Sequence, residues 1–229
     1  MVKVDLHAHT ADDPSEFIPH TAWDLIDRAA ELGYQALAIT LHDKQLDVEP
    51  LMSYAHDRGL LIIPGIERSI HGRHLLLINF PPEVEAVQSF EEVAQLKARS
   101  RGLVIAPHPF YPAVHGLRNL LDVHAPLVDA IEVNAMYTRQ LDFNKAAVRW
   151  AKTHRKPLVG NADVHRLGQL GTTFSLIDAA PTADSVCEAI RAGRVEVRTE
   201  PLSWLTAVTT FARMLAGGMR RPNPDRVSR

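Results

Sequence analysis

The chain has 229 residues, 46% of them hydrophobic and 23% charged, with a formal net charge of −2 and a single cysteine, Cys187. This composition describes one globular domain with a substantial core, and it excludes a disordered chain, an internal disulfide, a cysteine-based zinc site and a basic surface for nucleic acid or anionic membrane. The N-terminus lacks the apolar run of a signal peptide and no stretch reaches the roughly 18 apolar residues of a membrane span, so a cytoplasmic protein is expected.

The first strand is Val2 to Leu6, ending in His7-Ala8-His9-Thr10. Residues two apart on a strand point the same way, so His7 and His9 present two imidazoles to one space. A polar loop with Asp12, Asp13 and Glu16 follows. The pattern Thr21-Ala22-Trp23-Asp24 then predicts a capped helix start, with Ala22, Leu25, Ile26, Ala29 and Ala30 at helical spacing and Gly33 as the stop. Ala36 to Ile39 is the next strand and leads into Thr40-Leu41-His42-Asp43. Strand, helix and strand, with polar residues after each strand, is the pattern of a parallel sheet.

The pattern continues with Leu60 to Ile63, running into Pro64-Gly65-Ile66-Glu67-Arg68, and with His74 to Ile78. A helix over Phe90 to Ala98 precedes Leu103 to Ala106 and Pro107-His108-Pro109. Ala130 to Asn134 forms a strand, Leu141 to His154 a helix with Phe143, Ala147 and Ala151 on one face, and Pro157 to Gly160 a strand that leads into Asn161-Ala162-Asp163-Val164-His165. Strands at Thr173 to Ile177 and Val195 to Arg198 flank a helix from Ala183 to Ala192. A last helix after Pro201 has an apolar face of Leu205, Val208, Ala212 and Leu215, expected to pack on the barrel. Residues 1–218 are thus expected to form one α/β barrel domain, and 219–229 a flexible tail.

In α/β folds the working residues sit at the carboxyl ends of the strands. Here those positions hold His7, His9, Asp13, His42, Glu67, His108, Asp163 and His165; His74 joins them if its strand runs antiparallel or the preceding loop reaches the same mouth. The chain has twelve histidines. His56 and His154 fall in helices, and His20, His71, His115 and His124 in loops or helix ends, where a surface or capped histidine is the ordinary reading. Imidazoles and carboxylates gathered at one mouth need a positive partner between them. Nitrogen and oxygen donors without thiolate suit Zn, Mn or Fe, and nine candidate ligands exceed one tetrahedral site.

Asp5-Leu6-His7-Ala8-His9-Thr10, Ala38-Ile39-Thr40-Leu41-His42-Asp43, Pro64-Gly65-Ile66-Glu67, Ala106-Pro107-His108-Pro109 and Asn161-Ala162-Asp163-Val164-His165 resemble, in order, the motifs of the PHP (polymerase and histidinol phosphatase) family of metal-dependent phosphoesterases. The resemblance implies a distorted (β/α)7 barrel with two or three divalent metal ions at its mouth. It would place the first metal on His7, His9, Glu67 and Asp163. Glu67 would bridge to a second on His74 and His108, and a third would lie on His42 and His165 with a loop ligand, Asp13 or else Asp12. Glu67, Asp163 and His165 are the expected catalytic residues.

The implied activity is hydrolysis of a small phosphate ester, a phosphomonoester above all, by a metal-bridging hydroxide. Nucleic acid beyond nucleotides or short oligonucleotides is not expected as a partner. Arg68 and Arg166 follow ligands and are expected to turn outward; Glu132 and Asn134 end a strand, lining the pocket or hydrogen-bonding within it. The family commonly has an acidic residue before the histidine of the second motif, where this chain has Leu41, which leaves the His42 tautomer to a backbone carbonyl. Two other readings stand beside this one. An amidohydrolase-type barrel cutting C–N bonds also starts with an HxH strand but usually needs a bridging lysine, and a non-catalytic relative would have lost turnover.

Overall fold

The computed structural model describes residues 1–112 and 115–218; the expected tail at 219–229 lies outside the described residues. Nine strands form one sheet in the order β7-β6-β5-β4-β3-β2-β1-β8-β9. They are β1 (Val2–Asp5), β2 (Ala36–Ile39), β3 (Leu61–Ile70), β4 (Arg73–Ile78), β5 (Leu103–Ala106), β6 (Ala130–Asn134), β7 (Leu158–Asn161), β8 (Thr173–Ile177) and β9 (Val195–Thr199). The first seven make the distorted barrel; β8 and β9 extend the sheet beyond β1.

Six strand junctions explain the distortion. β1, β2 and β3 pair in parallel, as do β5, β6 and β7. Between these two parallel groups β4 runs antiparallel to both β3 and β5. β3 is ten residues long, well past Ile63, and folds back through the turn at His71 and Gly72, both with positive φ. That turn settles the place of His74: at the start of an antiparallel strand, it lies at the same end as the carboxyl termini of the others.

The seam between β1 and β7 is closed largely by side chains. Asp5 accepts from the N–H groups of His7 (3.0 Å) and Ala162 (2.9 Å), and Asn161 Oδ1 accepts from Leu6 N–H (3.0 Å). One residue further on, the backbones pair directly, His9 N–H to Val164 and Val164 N–H to His7. Lower down, Ser175 of β8 bonds both the N–H and the C=O of Gly160. A Cβ at Gly160 would lie 2.8 Å from Phe174 O, so only glycine allows this approach.

The helices cover the barrel as the apolar spacing dictates. α1 (Ala22–Glu31) starts at a Thr21–Asp24 capping box and buries Ala22, Leu25, Ile26 and Ala29. With α2 (Glu49–His56) it packs on Leu37, Ile39 and Ile62. α3 (Phe90–Ala98), the short α4 (Leu120–Val123) and α5 (Asn144–His154) cover β3 to β6 through Ile66, Leu75, Val104 and Ile131. α6 (Ala183–Arg191) brings Val186, Cys187, Ala189 and Ile190 onto the inner cluster of Ala36, Ile63, Leu76, Ile105 and Val159.

Two expectations change. α5 begins at Asn144, because Thr138 and Leu141 close a turn on each other and Asp142 accepts from Asn144 N–H, which starts the helix three residues late. α7 (Trp204–Gly218) forms, but Leu205 is 76% and Val208 57% exposed and Ala212 is exposed as well, so these residues do not pack on the barrel. An apolar stripe shows that a helix face favours burial, not that this domain has a free surface to receive it. No helix among the described residues is long and apolar enough to cross a membrane.

Candidate metal centre

The mouth gathers the expected residues on six strand ends. His7 and His9 come after β1, His42 after β2, Glu67 from within β3, His74 from β4, His108 after β5, and Asp163 and His165 after β7. His108 and Asp163 hold left-handed backbones, with φ of 29° and 52°. Non-glycine residues reach that region at a cost that the surrounding fold must override, and such strain concentrates at functional sites.

Glu67 stands at the centre and its two oxygens face different groups. Oε2 lies 3.3 Å from His7 Nε2, 3.4 Å from His9 Nε2 and 3.2 Å from His42 Nε2. Oε1 lies 2.7 Å from His74 Nδ1 and 3.2 Å from His108 Nε2. Asp163 Oδ1 adds 3.3 Å to His7 Nε2 and 3.6 Å to His9 Nε2. Donors about 2.1 Å from a tetrahedral ion are separated by about 3.4 Å along the edges of the tetrahedron. The His7–Glu67, His9–Glu67, His7–Asp163 and His9–Asp163 pairs, at 3.3 to 3.6 Å, already have that spacing.

The far side of each ring decides what the near side presents. His7 Nδ1 donates to Glu132 Oε1 at 2.8 Å, and His9 and His42 Nδ1 both donate to Asp13 Oδ2, at 3.0 and 2.9 Å. Carboxylates only accept, so the Nδ1–H tautomer is fixed and Nε2 carries a lone pair. In His7 and His9 that Nε2 is buried without a hydrogen-bond partner, aimed at the carboxylate oxygens of Glu67 and Asp163. Lone pairs facing lone pairs in a dry site require a cation between them. This carboxylate–histidine arrangement is what orients imidazoles toward a metal.

Without an ion between them, a proton takes that place. Burial pushes His7 down, but the carboxylates of Asp163, Glu132 and Glu67 outweigh it and hold the ring well above the ordinary histidine value. His9 behaves likewise, its burial overcome by Asp13, Asp163 and Glu67. Burial raises Glu67 and Asp163, yet the surrounding imidazoles carry both well below the usual carboxylate range. The pocket holds positive charge wherever it can obtain it.

His42 is oriented differently from expectation. No acid precedes it, since Leu41 is buried in the core, but Asp13 reaches across from the first loop and takes both the His42 ring and its backbone N–H (3.0 Å). A carboxylate therefore sets the tautomer, where a backbone carbonyl was expected. Asp12 bonds to Thr10 Oγ1. Arg68 points outward to Asp43 and the Val87 carbonyl, as expected, and Arg166 begins the short turn Leu167–Gln169.

Sequence reasoning missed Glu16 and undervalued Glu132 and His20. Glu16 Oε2 lies 3.1 Å from His165 Nε2. Glu132, fully buried, accepts from His7 Nδ1, Asn161, Asn134 and the His108 N–H. Asn134 also donates to Asp163 Oδ2 at 3.1 Å. His20 is buried rather than on the surface, its Nε2 donating to the His9 carbonyl at 2.9 Å. Glu132 and Asn134 were visible as polar residues two apart on an apolar strand; Glu16 and His20 sit in a loop with no periodicity to read.

With this geometry in view, the likeness to known proteins is specific. The family model PHP_C, described as PHP-associated, matches residues 142–195, which include Asp163 and His165. A two-domain protein from Bacteroides vulgatus, described as containing a predicted PHP-like metal-dependent phosphoesterase, superposes with a TM-score of 0.67 at 16% identity, covering 93% of this chain and 69% of that one. The fold is that of a PHP-like barrel. PsfC from Pseudomonas syringae superposes with a TM-score of 0.67 at 20% identity, over 94% of this chain and 99% of its own. The lesion-specific endonuclease EndoQ from Pyrococcus furiosus matches at a TM-score of 0.58 and 17% identity, over 92% and 66%. No curated protein matches this chain by sequence.

Proposed function

We propose that this protein is a metal-dependent hydrolase of phosphate esters, acting on phosphomonoesters. The observation that carries the reading is the set of buried imidazole lone pairs on His7 and His9 facing the oxygens of Glu67 and Asp163 at tetrahedral spacing. His7, His9, Glu67 and Asp163 would hold one ion, and Glu67, His74 and His108 a second. Bound divalent ions supply Lewis acidity toward phosphate oxygens and lower the pKa of water to about 7.

The chain's own residues define where the ester sits. His7, His9 and Glu67 are almost wholly buried, whereas the side chains of His42, His108 and Asp163 are each 13% exposed. The ester therefore meets the outer face of the cluster, with the buried rings behind it. Asn134 orients the Asp163 carboxylate from the far oxygen, and Glu132 fixes both His7 and the His108 backbone. These supports keep the donor positions in place as charge builds on the phosphoryl group, the condition for preorganised stabilisation.

Glu67 fills the central bridging place, where an amidohydrolase-type barrel uses lysine. The likeness to a DNA endonuclease keeps phosphodiesters within the substrate class, while the net charge of −2 favours a small ester over a polyanion. A screen of phosphate monoesters, oligonucleotides, amides and lactams, with Mn or Zn added back after chelation, tests the reading. Phosphate release from monoesters that is abolished by chelator is expected. Cleavage of amides or lactams alone, or full activity in His9→Ala or Asp163→Ala protein, would overturn it.

A further inference from the structure

The first loop offers two carboxylates to the mouth, Asp13 and Glu16, and they meet the histidines from opposite sides. Asp13 is saturated. Its Oδ2 accepts from His9 Nδ1, His42 Nδ1 and the His42 N–H, and its Oδ1 accepts from the N–H groups of Ser15 (2.8 Å) and Glu16 (3.0 Å). A carboxylate has about four lone-pair sites, so five donors leave it no free direction toward an ion. All the ring nitrogens it touches are the ones facing away from Glu67.

Glu16 has the opposite setting. Its Oε2 faces His165 Nε2 at 3.1 Å, while His165 Nδ1 lies 3.1 Å from the Asp163 carbonyl. A carbonyl only accepts, so Nδ1 carries the proton and Nε2 presents a lone pair to a carboxylate. Unlike Nε2 of His7 and His9, this pair is within hydrogen-bonding reach, so in the absence of an ion a proton holds the place between nitrogen and carboxylate. Two donors about 2.1 Å from one ion and at right angles to it are about 3 Å apart, which is the spacing found. Glu16 is 35% exposed in its side chain, at the edge from which an ion would enter. Its backbone is pinned by Asp13, so the two acids are set by one turn.

We propose that Glu16 is the loop ligand of the third metal position, beside His42 and His165, and that Asp13 is a positioning residue that aims His9 and His42 from behind. The proposal rests on the metal-dependent reading above. Leu41 gives its physical reason: with no acid next to His42, Asp13 does the orienting, and the ligand role falls three residues further along the loop.

Metal binding in the absence of substrate tests it. Purified protein stripped with chelator is titrated with Zn2+ alone by calorimetry, and bound metal is counted by mass spectrometry. Wild type is expected to take up three equivalents, and Glu16→Gln two, with the third lost or weakened at least 10-fold. Asp13→Asn is expected to keep three at saturating Zn2+ while binding two of them about 10- to 100-fold more weakly, the usual effect of removing an outer carboxylate. Glu16→Asp, which keeps the charge on a shorter arm, should recover part of the third site.

Three equivalents of unchanged affinity in Glu16→Gln would overturn the proposal, as would loss of one equivalent in Asp13→Asn alone. Wild type stopping at two would overturn this inference and leave the phosphoesterase reading intact. Wild type taking up no metal would remove both. Glu16 lies on a partly exposed loop, so its variants test the ligand role even if Asp13→Asn does not fold.

Discussion

Glu132 Oε1 lies 2.8 Å from His7 Nδ1, and both side chains are completely buried. The same carboxylate accepts from Asn161 at 3.0 Å, Asn134 at 3.2 Å and the His108 N–H at 2.7 Å. One acid thus ties together the ends of β1, β5, β6 and β7.

Glu132→Gln keeps the shape and turns one acceptor into a donor that faces donors. Leaving such groups unsatisfied in the interior costs about 1–3 kcal/mol each. The variant should lose about 2–4 kcal/mol in urea unfolding and bind metal about 10- to 100-fold more weakly. Unchanged metal affinity would show that Glu132 does not orient His7.

Metal removal should destabilise the fold as well as abolish activity. An ion that binds only the native state contributes about 2.7 kcal/mol at 100 times its Kd. Chelator should therefore lower the melting temperature by several degrees, and Mn or Zn should restore it. A melting curve insensitive to chelator would count against a resident ion.

Gly160→Ala probes the barrel seam. The added Cβ meets Phe174 O at 2.8 Å and Val197 Cγ1 at 2.9 Å, and the carbonyl belongs to a strand that cannot easily shift. A loss of about 1–3 kcal/mol is expected. Because the seam positions Asp163 three residues on, metal affinity should fall too, which a fluorescence titration with Zn2+ would read.

His20 gives a pH signature. Burial pushes its pKa down from 6.5 to about 4, against the opposing hydrogen bond to the His9 carbonyl. The unfolded chain takes up a proton near pH 6.5 that the folded protein refuses until about pH 4. The stability linked to the neutral ring is complete above pH 6.5 and is lost as pH falls toward 4, a change of about 3 kcal/mol. With chelator present, the stability difference between wild type and His20→Gln should shrink across that window. A difference independent of pH would refute the assignment.

Much of this was legible in the sequence because local rules govern it. Strand ends mark the mouth, and residues two apart share a face, so His7, His9, His42, Glu67, His108, Asp163 and His165 could be gathered before any contact was seen. The capping pattern at Thr21 and the spacing of Ala22, Leu25, Ile26 and Ala29 were enough for α1. His74 was not decidable, since strand direction depends on which neighbours a strand pairs with, and β4 pairs antiparallel on both sides.

What the sequence determined by itself is most of the inventory: which elements form, and which imidazoles and carboxylates at the ends of the parallel strands reach one end of the barrel. Only the tertiary structure decided how each group is used. A ring has two nitrogens of opposite role, and the one that faces the centre is set by an acceptor far away in the chain, Glu132 for His7 and Asp13 for His42. Hydrogen bonds across such separations leave no period in the sequence. The exposed face of α7 follows from the same cause, because apolar spacing specifies a need for burial while the fold decides whether a surface is there to meet it.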